Sequence, residues 1–239
     1  MEQAMLESLI ADRAAHRAVV LATELDTGRQ WLVAAGTASA GTPGDVAVAA
    51  RDALAIDDSR AVDLAGGRVF LHVHSPPLRM IVIGAVHITQ ALAPMATLAG
   101  YQVTVVDPRG AFATSERFPG ITVSDDWPDD ALEALAPDSR TAVVTLTHDP
   151  KLDDAALAVA LRTEAFYIGS LGSAKNHRAR TERIARLGFD EAAIARIHGP
   201  VGLAIGARSP AEIAIAILAQ VIEARRRPAR AGGAEGRAA

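Results

Sequence analysis

The stretch RMIVIGAVHITQALAPMATLAGYQVTVVDPRG, residues 79–110, decides the fold of most of this chain. A short apolar run ends at Gly84, a segment with helical spacing follows, and a second apolar run ends at Asp107. Strand, turn, helix and strand in this order begin a nucleotide-binding α/β sheet. Gly84 supplies the tight turn. Asp107, 23 residues later, stands close to the position of the carboxylate that holds a ribose in a dinucleotide site.

The glycine pattern of this turn departs from the dinucleotide fingerprint G-x-G-x-x-G. Val86 stands in place of the second glycine and Thr89 in place of the third. The second glycine lets backbone lie against a pyrophosphate, so an isopropyl group there should exclude it. We therefore predict a Rossmann-like scaffold without an ordinary NAD site. His87, which begins the helix, either donates to an anion or has a structural role.

The rest of the chain predicts an α/β protein in two parts. From Met80 onward, short apolar runs alternate with helical segments, which indicates a doubly wound parallel sheet covered on both faces. Shorter mixed segments precede the sequence SPPLR, a natural boundary. We predict a small mixed α/β N-terminal domain (1–76), a Rossmann-like cofactor-binding domain (77–226) and a disordered tail (227–239).

Composition excludes several classes of function. Half of the 239 residues are hydrophobic, which is enough for a sizeable core, and the net charge of −4 argues against a nucleic-acid partner. The absence of cysteine excludes disulfides, thiolate metal sites and a cysteine nucleophile. Within the first 17 residues, Glu2, Glu7 and Asp12 stand where a secretory signal would be basic and then apolar. No apolar run is long enough to span a membrane. We expect a cytoplasmic protein without a membrane partner.

A polar segment, THDPKLDD, follows the fourth predicted strand of the sheet. It places His148 and Asp149 at the carboxyl end of that strand, where open α/β sheets bind ligands, so both are candidate cofactor contacts. Asp153 is alternatively the cap of the next helix. The sequence HVH (72–74) points two imidazoles to one face of a strand, which is too few for a closed metal site. We assign no catalytic residue and no metal ligand.

The segment YIGSLGSAKNHRARTER carries the strongest local signal for an anion. Two Gly-Ser pairs follow a strand and precede a basic helix, so small residues free backbone N–H groups, hydroxyls add donors and the helix start favours negative charge. The alternative is a flexible loop before a solvated basic helix. The helix carries Lys175, His177, Arg178, Arg180 and Arg183. The predicted phosphate contacts are Gly169, Ser170, Gly172, Ser173, Lys175 and Arg178.

Two further signals lie near the end of the chain. The sequence SPAE predicts a helix whose cap is Ser209, with Glu212 completing a capping box. Before it, Gly199, Gly202 and Gly206 are dense enough to indicate close approach of the backbone, either to a ligand or to the sheet.

Residues 67–222 resemble the XdhC/CoxI family, the accessory factors of xanthine dehydrogenase and related molybdenum hydroxylases. The blocks that carry the resemblance, in order, are VHSPPLRMIVIGAVHITQALAPMATLAGYQVTVVDPR, FATSERFPG, THDPKLDDAAL, FYIGSLGSAKNHRARTERI and HGPVGLAIGARSPAEIAIAILA. The resemblance implies a non-catalytic chaperone that binds molybdenum cofactor (molybdopterin), a phosphorylated pterin dithiolene. It also implies two partners, a cysteine desulfurase that supports sulfuration and the large subunit of an apo molybdenum hydroxylase that receives the cofactor, and it allows a homodimer.

The sequence departs from the family pattern in two places. The usual first turn has a glycine where Val86 stands, and the N-terminal domain of longer members carries a Gly-Gly-Cys block that is missing here. A persulfide relay through this chain is therefore excluded, and any sulfur must come from a partner.

Two other functions compete with this interpretation. One is an NAD(P)-dependent oxidoreductase acting on a small carbonyl compound. The sheet pattern and Asp107 favour it, whereas Val86 and the lack of a Tyr-Lys or Ser-Tyr pair oppose it, since the only tyrosines are Tyr101 and Tyr167. The other is a docking chaperone whose crevice is vestigial.

Overall fold

Contacts between residues divide the chain after Pro76 into two units, Met1–Pro76 and Pro77–Ala239. The computed structural model describes residues 3–15, 17–110 and 112–226, so the predicted tail at 227–239 lies outside the described residues.

The first unit is a four-stranded antiparallel sheet with the strand order β2-β1-β4-β3. Alternate residues such as Val20, Ala22 and Val33 are buried with Ala50 of α2, which gives the unit a core of its own. Strand β3 was not predicted, because its side chains are only partly buried in alternation and its apolar signal is weak. The elements are α1 (Gln3–Ala14), β1 (Val19–Glu24), β2 (Gln30–Ala34), α2 (Gly44–Ile56), β3 (Arg60–Leu64) and β4 (Gly67–His74).

The second unit contains a six-stranded parallel sheet with the strand order β10-β9-β8-β5-β6-β7. Numbered from one to six along the chain, these strands lie in the order 3-2-1-4-5-6 when the sheet is viewed from its other edge, which is that of dinucleotide-binding Rossmann sheets. The predicted α/β class and doubly wound sheet are confirmed. The elements are β5 (Leu78–Ile83), α3 (His87–Leu98), β6 (Tyr101–Val106), β7 (Thr122–Ser124), α4 (Pro128–Leu135), β8 (Thr141–Thr145), α5 (Pro150–Ala160), β9 (Tyr167–Ser170), α6 (Ala174–Arg186), α7 (Glu191–Ile194), β10 (Ile197–His198) and α8 (Pro210–Arg226).

Both faces of this sheet are buried. Val82 and Val144 pack with α3 and α8 on one face, whereas Ile83 and Val143 pack with α4 and α5 on the other. Since successive side chains of a strand point to opposite faces, a strand covered on both sides needs apolar residues at every position. The uninterrupted apolar runs of the sequence follow from this requirement.

The capping box predicted for the last helix is present. The Ser209 hydroxyl accepts a hydrogen bond from the Glu212 N–H at 3.3 Å, and the Glu212 carboxylate accepts one from the Ser209 N–H at 2.9 Å. The cap fixes the start of α8, whose residues Ile217 and Val221 are buried against the sheet.

The parallel sheet brings the carboxyl ends of its strands to one edge. The loops after β5, β8 and β9 therefore begin side by side in the second unit, and they contain the predicted site residues Gly84, His148, Asp149, Gly172 and Ser173. The reversal of strand order falls between β5 and β8, where Rossmann sheets bind their ligands.

Candidate functional site

The turn after β5 lies in direct contact with the loop after β8. Gly84 has φ +110, a conformation that L side chains rarely adopt, and its N–H donates to Val106 O at 2.8 Å. A Cβ at this position would come within 2.8 Å of Thr147 Cγ2 and 3.2 Å of Thr147 N. Gly84 is thus required both by its backbone conformation and by the approach of the neighbouring loop.

The two residues that replace fingerprint glycines belong to the start of α3. Val86 is the N-cap residue, with extended backbone (φ −92, ψ 174), and its half-buried side chain packs against the core. Thr89 is fully buried, and its hydroxyl donates to the carbonyl oxygen of Gly84. This hydrogen bond ties the helix to the turn. His87 is exposed, with Nδ1 3.1 Å from Gln90 Oε1, and its contact with an anion stays a prediction.

Asp107 is fully buried, and its carboxylate is engaged within the protein. Oδ2 accepts from the Ala85 N–H at 2.8 Å and from Arg109 Nη2 at 2.7 Å, while Oδ1 accepts from Arg109 N at 3.0 Å and Nε at 2.9 Å. Burial raises the pKa of this carboxyl, but the hydrogen bonds from Arg109 and Ala85 outweigh burial and hold the pKa below its ordinary value. The Asp107 carboxylate, which was expected to bind a ribose, therefore stabilises the turn after β5. Its contact with a cofactor stays a prediction.

The loop after β8 places His148 and Asp149 at the exposed edge of the sheet. Asp149 is the N-cap of α5 and accepts from the Lys151 N–H at 3.0 Å, so the cap is this residue and not Asp153. His148 has φ +63, which is unusual for a residue with a side chain and is found preferentially at functional sites.

The first Gly-Ser pair lies inside the sheet. Gly169 and Ser170 are buried in β9, and a Cβ at Gly169 would come within 2.6 Å of Val201 Cγ2 and 2.7 Å of Tyr167 Cε1. The Ser170 hydroxyl is hydrogen-bonded to that of Thr145 at 2.5 Å. Gly169 thus allows Val201 and Tyr167 to pack closely against the strand, and the Ser170 hydroxyl is bonded to the adjacent strand β8.

The second Gly-Ser pair lies at the start of α6. Ser173 is the N-cap, and its hydroxyl accepts from the Asn176 N–H at 3.2 Å. Gly172 has φ +147. Lys175 and Arg178 are exposed beside this first turn, whose N–H groups have no intrahelical acceptor. The structure thus brings together Gly172, Ser173 and the two cations, and their contact with a phosphate stays a prediction.

Sequence reasoning missed a buried acid and base beside this loop. Asp153 is 1% exposed and Arg180 is 4% exposed, and they face each other with Nη2 3.9 Å from Oδ2. The sequence places Arg180 among the basic residues of a predicted anion site or, alternatively, of a solvated helix. The one sequence signal for its burial is spacing, because it lies four residues before Ile184 and therefore on the same helical face as that core residue.

Of the three glycines near the end of the chain, Gly199 and Gly202 approach protein groups, whereas Gly206 has open space around it. A Cβ at Gly199 would come within 2.0 Å of His177 Nδ1, and one at Gly202 within 3.1 Å of the Ala216 Cβ on α8. The sequence left a ligand or the sheet as alternatives, whereas the close neighbours of Gly199 and Gly202 in the structure belong to the helices α6 and α8.

Residues 80–221 match the family model described as the XdhC Rossmann domain. The chain belongs to the XdhC Rossmann domain family. This confirms the resemblance carried by its sequence blocks.

Three curated relatives of this XdhC-domain chain are informative. It is 33% identical over 159 residues to the uncharacterized protein YqeB of Escherichia coli, covering 65% of this chain and 29% of that protein. It is 33% identical over 165 residues to a protein of Bacillus subtilis named as a probable subunit of xanthine dehydrogenase (67% and 47%). It is 28% identical over 150 residues to the molybdenum cofactor insertion chaperone PaoD of Escherichia coli (63% and 41%). The chain spans less than half the length of these relatives.

A solved structure shares the fold of the XdhC-domain chain. The crystal structure of a xanthine dehydrogenase from Bacillus halodurans superimposes with a TM-score of 0.71 at 25% identity, covering 93% of this chain and 66% of that one. Within the described residues, His, Asp and Glu side chains form no group of three or more that could hold a metal ion. None of the helices in the described part of the chain has the length and apolar character needed to cross a membrane.

Proposed function

We propose that this chain binds molybdenum cofactor and assists its insertion into a molybdenum hydroxylase of the xanthine dehydrogenase type. Two relatives support this proposal by their names, one as a molybdenum cofactor insertion chaperone and one as a probable subunit of xanthine dehydrogenase. In this role the cofactor is cargo, and the chain holds it without turning over a substrate.

The observation that carries the proposal is the engagement of Asp107. A dinucleotide site needs a carboxylate free to accept hydroxyls of the ribose, and here four hydrogen bonds from Ala85 and Arg109 occupy both oxygens. Val86 adds a side chain at the place where a pyrophosphate needs bare backbone. A ligand with one terminal phosphate and a flat ring system avoids both obstacles.

The residues beside the second Gly-Ser pair fit such a ligand. Asp153 and Arg180 present buried polar atoms that have no hydrogen-bond partner among the described residues, and they border a cavity. Lys175 and Arg178 stand exposed next to the first turn of α6, whose positive end is a suitable place for a phosphate. When bound, the cofactor supplies the molybdenum centre that its client enzyme uses.

Sulfuration is the finer part of the proposal. The 239 residues contain no cysteine, so this chain cannot carry a persulfide on a cysteine thiol. A cysteine desulfurase would have to deliver sulfur directly to the bound cofactor, while this chain shields and orients it. The receiving partner would be the large subunit of the hydroxylase, and self-association as a homodimer remains part of the proposal.

Paired binding assays test the proposal. Purified protein is incubated with molybdopterin released from a molybdenum enzyme, separated from free ligand, and oxidised so that the retained pterin fluoresces. NADH is titrated in parallel by calorimetry. We expect retention of pterin and no measurable NADH binding. Tight NADH binding without retained pterin would instead support the NAD(P)-dependent oxidoreductase, and retention of neither would favour a docking chaperone.

A further inference from the structure

A small cavity of about 220 Å³ opens between the first turn of α5 and the face of α6 that runs from Asn176 to Arg183. Both helices start at the carboxyl ends of neighbouring strands, β8 and β9, and the partial positive charge of the α5 N-terminus lies near the cavity. Pockets that enclose a whole small-molecule ligand measure roughly 300–1,000 Å³, so this one suits a single ring system. Its lining residues are His148, Pro150, Asp153, Asn176, Ala179, Arg180 and Arg183.

The acid and base of this cavity have incomplete hydrogen bonding. Asp153 Oδ1 accepts from the Thr147 hydroxyl at 2.6 Å, and Arg180 Nη2 donates to Leu171 O at 2.7 Å. By contrast, Asp153 Oδ2 and the Nε and Nη1 atoms of Arg180 have no partner among the residues that the structure describes. Buried polar atoms are nearly always satisfied, and leaving one unmet costs about 1–3 kcal/mol. These three atoms therefore indicate a bound molecule that forms the missing hydrogen bonds.

The two side chains also restrict the charge of that molecule. A separation of 3.9 Å between Nη2 and Oδ2 is too long for a direct hydrogen bond. Burial raises the pKa of Asp153 and lowers the pKa of Arg180, so the surroundings penalise added charge in either sense. A phosphate in the gap would face the Asp153 carboxylate, and an ammonium group would face the guanidinium. A neutral group with a hydrogen-bond acceptor beside a donor suits both side chains, because the acceptor can face Arg180 and the donor can face Asp153.

A cyclic amide is such a group, because its C=O and N–H point in nearly the same direction from adjacent ring atoms. We infer that Asp153 and Arg180 bind the lactam edge of a 2-amino-4-oxo pterin, with Arg180 donating to the 4-oxo oxygen and Asp153 accepting from the neighbouring ring N–H. This inference rests on the proposed function, since it assigns the end of the cofactor that enters the cavity. The phosphate end then points out of the cavity, towards the exposed start of α6.

The test compares matched variants in the retention assay for molybdopterin. Asp153→Asn removes the acceptor while keeping the shape and the Thr147 hydrogen bond, and Asp130→Asn makes the same charge change at an exposed position on α4. We expect Asp153→Asn to weaken retention about tenfold or more and Asp130→Asn to leave it unchanged. Arg180→Gln should also weaken retention, and circular dichroism checks that loss of the Leu171 contact has not unfolded it.

Competition identifies the edge of the ring. Added 6-hydroxymethylpterin should displace bound cofactor from the wild-type protein, whereas 2,4-diaminopteridine, which replaces the 4-oxo acceptor by a donor, should do so far less. Equal competition by both compounds, or equal retention by Asp153→Asn and Asp130→Asn, overturns the inference and leaves the proposed function standing. Failure of the wild-type protein to retain molybdopterin overturns the proposed function, and the inference with it.

Discussion

Replacing Asp107 by asparagine separates a structural from a ligand-binding role for this carboxylate. The amide has one oxygen and one NH2 group, so two of the four donors that now meet the carboxylate must lose their acceptor. We expect the oxygen to turn to Ala85, because that residue is fully buried and its N–H has no water to bond. The NH2 group then faces the Arg109 guanidinium.

The size of the effect depends on the exposure of Arg109. Breaking a fully buried ion pair costs about 3–5 kcal/mol. The Arg109 side chain is 40% exposed and can rehydrate, so the loss is closer to that of a charge-assisted hydrogen bond, about 2 kcal/mol. Asp107→Ala should cost more, because it also leaves the Ala85 N–H without an acceptor.

Urea unfolding measures this loss in the second unit. The chain has two tryptophans, one in each unit, so fluorescence in a Trp31→Phe background reports Trp127 alone. With a slope of about 2 kcal/mol per molar urea, the midpoint should fall by about 1 M. The matched control is Asp126→Asn, an exposed carboxylate that accepts a hydrogen bond from the Ser124 hydroxyl.

The pH dependence gives a second check on Asp107. Its pKa is lowered in the folded protein, so its stabilisation is fully present above the unfolded pKa and disappears as pH falls through the folded value. The advantage of the wild type over Asp107→Asn should therefore be constant near neutral pH and shrink below about pH 4. A structural role for Asp107 is refuted if Asp107→Asn unfolds at the same urea concentration as Asp126→Asn and instead loses affinity for a cofactor.

Three further substitutions test other parts of the second unit. Gly169→Ala should destabilise by about 1–3 kcal/mol in thermal melts, because its Cβ would lie 2.6 Å from Val201 Cγ2, whereas Gly110→Ala, with open space around it, should melt like the wild type. Burial lowers the pKa of His198, so stability should fall as pH drops from about 7 to about 5, and His198→Phe should flatten that slope. Val86→Gly should raise NAD affinity in calorimetric titrations if this side chain excludes the pyrophosphate, and an unchanged affinity would mean that the exclusion lies elsewhere.

The elements that the sequence predicted well are those whose periodicity reflects burial. Strands such as β5 are apolar at every position because helices cover both faces, and Ser209 with Glu212 marks a helix start by local hydrogen bonds alone. The short strands β3 and β10 were missed, because pairing with a neighbouring strand defines them more than their own residues do.

The candidate site was predictable in position but not in its buried contacts. The carboxyl edge of the sheet follows from strand order, and it does hold the loops that were singled out. The burial of Arg180 depends on a carbonyl nine residues earlier and on Asp153 of another helix. A helix with five basic residues gives no reason to expect that one of them is inside, so local sequence carries almost no signal for this pair.

The proposed position of the cofactor follows from which hydrogen-bonding groups at the edge of the sheet are already engaged within the protein. Between β5 and β8, the protein completes its own polar groups: the Thr89 hydroxyl meets the Gly84 carbonyl, and the Asp107 carboxylate meets the Ala85 N–H. A ligand gains little there, because it would have to displace contacts already made. Between β8 and β9, Asp153 and Arg180 keep buried polar atoms unmet among the described residues. Binding free energy is largest where the protein leaves such groups unsatisfied, so the cofactor should sit one strand away from the reversal point.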